Sequence, residues 1–330
     1  MSEPVYAGGR LRAYLQFLAA ILYFFLARSL AFHGAHGLVS DAWFPLAERA
    51  MLVFLLMLGF AAMGFWLDRQ IHPISEQGLP RREGWPREAA LGLATGWGIA
   101  LICVLPMAVF GGIATFVSGQ LSAWGWLAVD VAFFALAALA EEVAFRGYAF
   151  QCFVRAVGSV GATLGFAAIY AIVQALTPGT NHASIAVSLA FSFLLSAAYL
   201  RTRALWVSWG LNFGWKASRA LVFGLAVSGV SSHSPVVQGD PMGPLWLSGG
   251  GYGLDASWLA FFVLLAALPV VFRVTHDLNF RYNAPVIVPG GIPVDLDAAA
   301  RAQHEAATGA ASPARPALVQ IETKEQGTEK

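Results

Sequence analysis

The sequence predicts an all-α fold: a polytopic membrane bundle of about eight transmembrane helices. Hydrophobic residues make up 58% of the 330 residues and charged residues 12%, whereas soluble domains carry about 25% charged residues. The mean hydropathy is +0.63. Apolar runs recur along the chain, and arginines gather in alternate loops between them. These observations together are typical of a helical membrane protein.

Eight apolar segments have lengths near the roughly 20 residues that a bilayer requires. They cover approximately residues 13–30, 50–67, 89–110, 124–149, 160–176, 184–200, 205–227 and 256–272. No small-residue cleavage signature follows the first segment, so we expect a retained helix rather than a signal peptide.

The placement of arginine predicts the orientation of these spans. Arginines precede the first span and follow the second, fourth, sixth and eighth, whereas the loops after the third, fifth and seventh contain no Lys or Arg. Arg28 and Arg49, at the ends of the first outer loop, are the exceptions. The positive-inside rule therefore predicts that both termini are cytoplasmic. We expect residues 1–282 to form the bundle. Residues 283–330 lose the apolar periodicity and predict a disordered cytoplasmic tail.

Three charged residues cluster late in the fourth span, Glu141, Glu142 and Arg146, whereas the earlier part of this span carries only Asp130. A charge in hydrocarbon costs roughly 3 kcal/mol on insertion scales, so such residues usually mark a functional site. Glu142 and Arg146 are four residues apart and share a helix face, which allows them to pair. Glu141 is rotated by about 100° from Glu142 and stays available as a general base. The alternative is an interfacial cluster that only anchors a helix end.

The pattern EExxxR at residues 141–146, followed by Gly147, resembles the CPBP family of intramembrane proteases. This family includes CAAX prenyl endopeptidases and bacteriocin-processing enzymes. The family's next motifs are FxxxH and an HxxxN motif in a context like LWxxxGxHxxWN. Residues 170–174, followed by Pro178, and residues 205–216 match those two contexts. The resemblance covers about residues 89–227 and implies an intramembrane endopeptidase.

The chain departs from the family at three motif positions. The first expected His is Gln174, the second is Asn212, and the expected Asn is Lys216. Gln174 is expected to hold water less well than His and is unable to shuttle a proton. Asn212 and Lys216 lie four residues apart and both donate hydrogen bonds, so they retain the chemistry of an oxyanion hole.

The resemblance implies roles for the residues that match. Glu141 would activate the water that attacks a peptide bond, and Glu142 would be its paired carboxylate, held by Arg146. The substrate would be membrane-associated or lipidated. Since loss of a catalytic imidazole costs about 100-fold or more, activity is expected to be impaired. The alternative is an inactive pseudoprotease that binds a membrane protein or peptide.

Lys216 also requires a counter-ion within the membrane. Glu141 or Glu142 is the expected partner, and Arg219 is expected to pair with Asp130. A buried charge network of this kind, linking the fourth and seventh spans, is an alternative to residual catalysis.

We expect no cofactor and no tight metal binding, although the family is sometimes labelled as zinc metalloproteases. Zinc sites use His, Cys and carboxylate ligands, whereas this site offers two carboxylates, two amides and an ammonium group. His182, the nearest other imidazole, is expected in a solvent-facing loop. The cysteines Cys103 and Cys152 are isolated and indicate neither a disulfide nor a metal site.

The remaining predictions concern partners and location. The expected partners are a membrane protein or lipidated peptide and the lipid bilayer. The net charge of +1 gives no indication of nucleic-acid binding. The family resemblance suggests the inner membrane of a bacterium. A transporter is a third possibility, against which the absence of an internal repeat counts.

Overall fold

The computed structural model describes residues 7–278 apart from 111, 233 and 235, and it describes the backbone of residues 286–287 and 293–294. The chain divides into two compact units, Met1–Tyr282 and Asn283–Lys330. In the second unit, only β3 (Val286–Ile287) and β4 (Pro293–Val294) are described, and they pair antiparallel. The predicted disorder of residues 283–330 otherwise falls outside the described residues.

Helices dominate the described part of the first unit. They are α1 (Ala7–Leu38), α2 (Phe44–Asp68), α3 (Pro73–Glu76), α4 (Trp85–Val109), α5 (Leu121–Arg146), α6 (Tyr148–Ala175), α7 (His182–Thr202), α8 (Leu205–Ala217), α9 (Leu245–Ser248) and α10 (Trp258–Val274). A π-helical turn, Ser218–Val222, continues α8, and 3₁₀ turns form at Gly250–Tyr252 and Leu254–Ala256. The strands β1 (Ile113–Val117) and β2 (Val237–Pro241) form an antiparallel ribbon.

The prediction of an all-α membrane bundle is confirmed. Among the described residues, five helical segments are long and apolar enough to cross a membrane: α1, α2, α4, the continuous α5–α6 segment and α7. The α5–α6 segment contains two helices, and α10 is a shorter apolar helix. The count of eight spans and the orientation of the termini remain predictions.

Glycines bend the chain where the candidate site is built. Gly147 ends α5 with a ψ of −140°, and a side chain there would place Cβ 2.3 Å from the carbonyl oxygen of Val143. Gly158 bends α6 through a φ of +84°, a conformation that favours glycine. The second half of α6 then lies beside the end of α5, where the rings of Tyr170 and Phe145 are 5.1 Å apart.

Two glycine pairs hold α4 and α8 in close contact. Gly92 and Gly96 of α4 face the backbone of α8, while Gly210 and Gly214 of α8 face the backbone of α4. A Cβ at Gly92 would lie 2.2 Å from the carbonyl oxygen of Val207. Both pairs have GxxxG spacing, which allows transmembrane helices to approach closely. This contact fixes the position of α8, which carries two of the predicted site residues.

The apolar core has two main parts. Buried side chains of α4, α7, α8 and α10 form one cluster around Trp215 and Leu211. Side chains of α1, α2, α5 and α6 form the other, around Phe60 and Phe166. The candidate site lies where α5 of the second cluster meets α8 of the first.

Candidate functional site

Asn212 and Lys216 of α8 contact the two adjacent carboxylates at the end of α5. The side-chain amide of Asn212 donates to Glu141 Oε2 at 3.1 Å and to Glu142 Oε1 at 2.9 Å. The ammonium group of Lys216 forms an ion pair with Glu141 Oε1. Since Asn212 and Lys216 are one helical turn apart, both reach the same pair of carboxylates.

Glu142 and Arg146 form the ion pair that their spacing predicts. Arg146 Nη1 is 3.4 Å from Glu142 Oε1, and both side chains are almost completely buried. Arg146 Nη2 donates to the carbonyl oxygen of Ser192 at 3.2 Å and to its hydroxyl at 3.1 Å. The pair therefore joins α5 to α7 in the buried interior of the bundle.

The side chains of Glu141 and Glu142 differ in how exposed they are. Glu142 is completely buried, whereas the side chain of Glu141 is 29% exposed. Glu141 nevertheless accepts a hydrogen bond at each of its oxygens, from Lys216 and from Asn212. Its negative charge is therefore balanced by an adjacent ammonium group.

Gln174 donates a hydrogen bond to the hydroxyl of Tyr252, which lies outside the long helices. Gln174 and Lys216 also line one small cavity with Tyr170 and Asp255. Its volume of about 20 Å³ is enough for a single water molecule. The structure thus brings Gln174 close to Lys216, while its amide is engaged by Tyr252.

We call the segment from Gly224 to Ser257, without the undescribed residues 233 and 235, the cap. It closes the end of the bundle where α6 ends and α7 begins, through contacts of Tyr252 with Gln174 and of Ala256 with Asn181, and it lines this cavity. Arg219 pairs with Asp255 of the cap, with Nη1 2.7 Å from Oδ1. Asp255 Oδ2 accepts hydrogen bonds from the backbone and hydroxyl of Ser228 at 3.0 and 2.9 Å. Burial raises the pKa of Asp255, but the charge and hydrogen bond of Arg219, together with the hydrogen bond from Ser228 and the charge of Lys216, hold the pKa below its usual value.

The predicted Arg219–Asp130 pair is therefore wrong. Asp130 accepts a hydrogen bond from the backbone of Ser234 at 2.7 Å. The guanidinium group of Arg219 lies over the ring of Trp215, 4.1 Å from its centroid, and reaches the cap carboxylate instead. Helical spacing does not predict this partner, because Asp255 lies in a glycine-rich loop without periodicity.

Sequence reasoning missed Ser192, Tyr252 and Asp255. Ser192 contacts Arg146, Tyr252 contacts Gln174, and Asp255 contacts Arg219. The one available signal was Asp255, an acidic residue beside an apolar span in a loop otherwise almost free of charge.

The donor groups of this site do not fit a zinc ion. Within the described part of the chain, no group of three His, Cys, Asp or Glu side chains is arranged to hold a metal. Lys216 occupies one oxygen of Glu141 with an ammonium group, which repels a cation. His182 is exposed at the start of α7.

An apolar groove lies beside the site, between α4, α5 and α8. Its volume is about 480 Å³, and its walls include Leu93 and Trp97 of α4, Leu127 of α5, and Ala217 and Leu221 of α8 or its π-helical continuation. The groove borders the same helix that carries Asn212 and Lys216.

Residues 122–218 match a known protein family. The matching family is described as type II CAAX prenyl endopeptidase, Rce1-like. The matched segment contains all six residues named from the motifs. No curated protein and no solved structure matches the chain.

Proposed function

We propose that this chain, which is similar over residues 122–218 to Rce1-like CAAX prenyl endopeptidases, is a pseudoprotease of the CPBP family: it binds a membrane protein or lipidated peptide without cleaving it. The observation that carries this proposal is the ion pair between Lys216 and Glu141.

The ion pair opposes the chemistry that the family motif requires. A general base needs a free lone pair within reach of a water molecule. Lys216 and Asn212 each donate to one oxygen of Glu141, and the adjacent ammonium charge makes this carboxylate a weaker acceptor for a proton from water. Gln174 has no titratable group to relay the proton, and its amide is bound to Tyr252.

The apolar groove supports a binding role. Its walls are aliphatic and aromatic side chains of helices within the bundle, which is suitable for a hydrocarbon chain or an apolar peptide segment. We propose that a prenyl group or an apolar transmembrane segment of the partner occupies this groove.

A second candidate is an endopeptidase with weak activity, which the 29% exposure of Glu141 favours. In this case, Lys216 moves away when substrate binds, and Glu141 takes a proton from water as it attacks the peptide carbonyl. Asn212 and Lys216 then donate to the oxyanion. Glu142, held by Arg146, keeps α5 in position.

Cleavage assays distinguish these two functions. Purified protein, a Glu141→Ala variant and a Gln174→His/Asn212→His/Lys216→Asn variant are incubated with membrane-anchored and prenylated peptides. The proposal predicts no cleavage by the wild-type protein and detectable cleavage by the triple variant, because the variant restores the family motif. Wild-type cleavage that disappears in Glu141→Ala would overturn the proposal and establish the endopeptidase.

A binding assay tests the groove separately. Ala217→Trp fills the groove, so it is expected to weaken binding of a fluorescent prenylated peptide at least tenfold. Leu22→Trp, at an exposed position on α1, is the matched control and is expected to bind normally. Equal binding by both variants would exclude this groove as the peptide site.

We further propose that α1, α2, α4, α5, α6, α7, α8 with its π-helical turn, and α10 are the eight membrane spans. Both termini are then cytoplasmic, and the membrane is the bacterial inner membrane. The parallel packing of α4 and α8 supports this arrangement, because the third and seventh spans must cross in the same direction. Reporter fusions after Arg82 and after Gly179 test it, since the two loops are expected on opposite sides.

A further inference from the structure

Five apolar side chains form an exposed patch at the end of the bundle that the cap closes. They are Val109, Phe110, Met242, Leu245 and Trp246, which we call the cap patch. All are more than half exposed, from 57% for Trp246 to 79% for Phe110. Exposed apolar patches of this kind usually mark an interaction surface.

Backbone contacts hold the cap patch between the end of α4 and the start of α10. The amide of Met242 donates to the carbonyl oxygen of Gly112 at 2.9 Å. The carbonyl oxygen of Trp246 accepts from the hydroxyl of Ser257, the residue before α10, at 3.0 Å. The patch is therefore a fixed part of this surface.

The cap patch continues the membrane-facing surface of the two helices that it joins. Ile102 and Leu105 of α4 are exposed, as are Phe262 and Leu265 of α10. In an integral membrane protein, such exposed apolar side chains on helices of the bundle face lipid. Leu245 and Trp246 of α9 are exposed apolar side chains of the same kind.

Charge is nearly absent from the segments around the patch. Residues 89–129 contain no Asp, Glu, Lys or Arg, and residues 220–254 contain only Asp240. Loops that face water carry many more charges, as do the arginine-rich loops at the other end of these helices. An uncharged surface with Phe and Trp is typical of the membrane–water interface, where aromatic side chains accumulate.

We propose that the cap patch inserts into the lipid leaflet on that side, with α9 at the boundary between head groups and acyl chains. Its partner is the bilayer surface itself. The insertion anchors the cap, and with it Asp255 and Tyr252, above the cavity beside Lys216. This proposal is independent of whether the site cleaves peptides.

A fluorescence experiment on the full chain in phosphatidylcholine vesicles tests this insertion. The two native cysteines are buried, so an engineered cysteine is a selective reporter. Leu245→Cys and Met242→Cys each carry a polarity-sensitive fluorophore. Gln238→Cys, on the exposed face of β2, is the matched control. Lipids with a quencher near the head group and aqueous iodide report the depth of each label.

The proposal predicts that both patch labels are quenched at least twofold more by lipid quencher than the Gln238 label. Their emission is also expected to be blue-shifted, and iodide quenching to be weaker. Equal quenching of all three labels by iodide would overturn it. The proposal would also be overturned, in favour of a dimer interface, if Leu245→Cys cross-links to a second copy of the chain and its protection from iodide depends on protein concentration.

Discussion

Lys216 of α8 forms an ion pair with Glu141 of α5, one residue before the carboxylate that Arg146 neutralises. Two adjacent carboxylates thus have separate cationic partners. Arg146 belongs to the same helix as Glu142, whereas Lys216 comes from another helix. The Lys216 pair consequently depends on the position of α8, which the glycine contacts with α4 determine.

A double-mutant cycle with Glu141→Gln and Lys216→Met should measure the coupling free energy between Lys216 and Glu141. A fully buried pair costs about 3–5 kcal/mol to break, and exposed pairs are worth less than about 1 kcal/mol. Because Glu141 is 29% exposed, we expect a coupling of about 1–2 kcal/mol. Thermal unfolding in detergent measures it. Additive effects of the two substitutions would show that the ion pair does not stabilise the bundle.

The fold class and the site helices were predictable because both depend on local signals. Long apolar runs predict α4 and α5, and the spacing of Glu142 and Arg146 predicts their contact. The contacts of Gln174 and Arg219 were not predictable, because their partners Tyr252 and Asp255 lie in the cap. No local sequence pattern predicts how a loop rich in glycine folds back over the helices.

Substituting Gly96 with Ala is expected to separate α4 from α8. Its Cβ would lie 2.2 Å from the carbonyl oxygen of Leu211, and overpacking of this kind costs about 1–3 kcal/mol. Gly98→Ala in the same helix is the control, because no atom lies within 4 Å of its Cβ. That change is expected to be neutral or stabilising by up to about 1 kcal/mol. Similar melting temperatures for both variants would contradict close packing at Gly96.

The ion pair between Asp255 and Arg219, which we call the latch, should stabilise the cap at neutral pH. This stabilisation should be lost at acidic pH. Burial alone would raise the pKa of Asp255, but Arg219, together with Ser228 and Lys216, holds it below the ordinary value of 3.8. A lowered pKa in the folded state contributes stability that is complete above the unfolded pKa. This stability is lost as the pH falls through the folded pKa.

Asp255→Asn tests this latch across that pH range. We expect a loss of about 1.5–3 kcal/mol at pH 7, since the variant removes hydrogen bonds to a charged group. The difference from wild type should shrink below about pH 4. Asp240→Asn alters an exposed cap carboxylate and should have little effect. A constant difference from pH 7 to pH 3 would show that titration of Asp255 does not determine cap stability.

The Glu142–Arg146 pair should stabilise the fold whether the protein is a pseudoprotease or an endopeptidase. Arg146→Met leaves the completely buried Glu142 without its cation, which is expected to cost about 3–5 kcal/mol. Combining it with Glu142→Gln should recover part of this loss, because the double variant has no unpaired buried charge. Thermal unfolding of the three variants measures the effect. If the double variant is as unstable as the sum of the single variants, the buried charge of Glu142 is not the cause, and the contacts of Arg146 with Ser192 account for the loss.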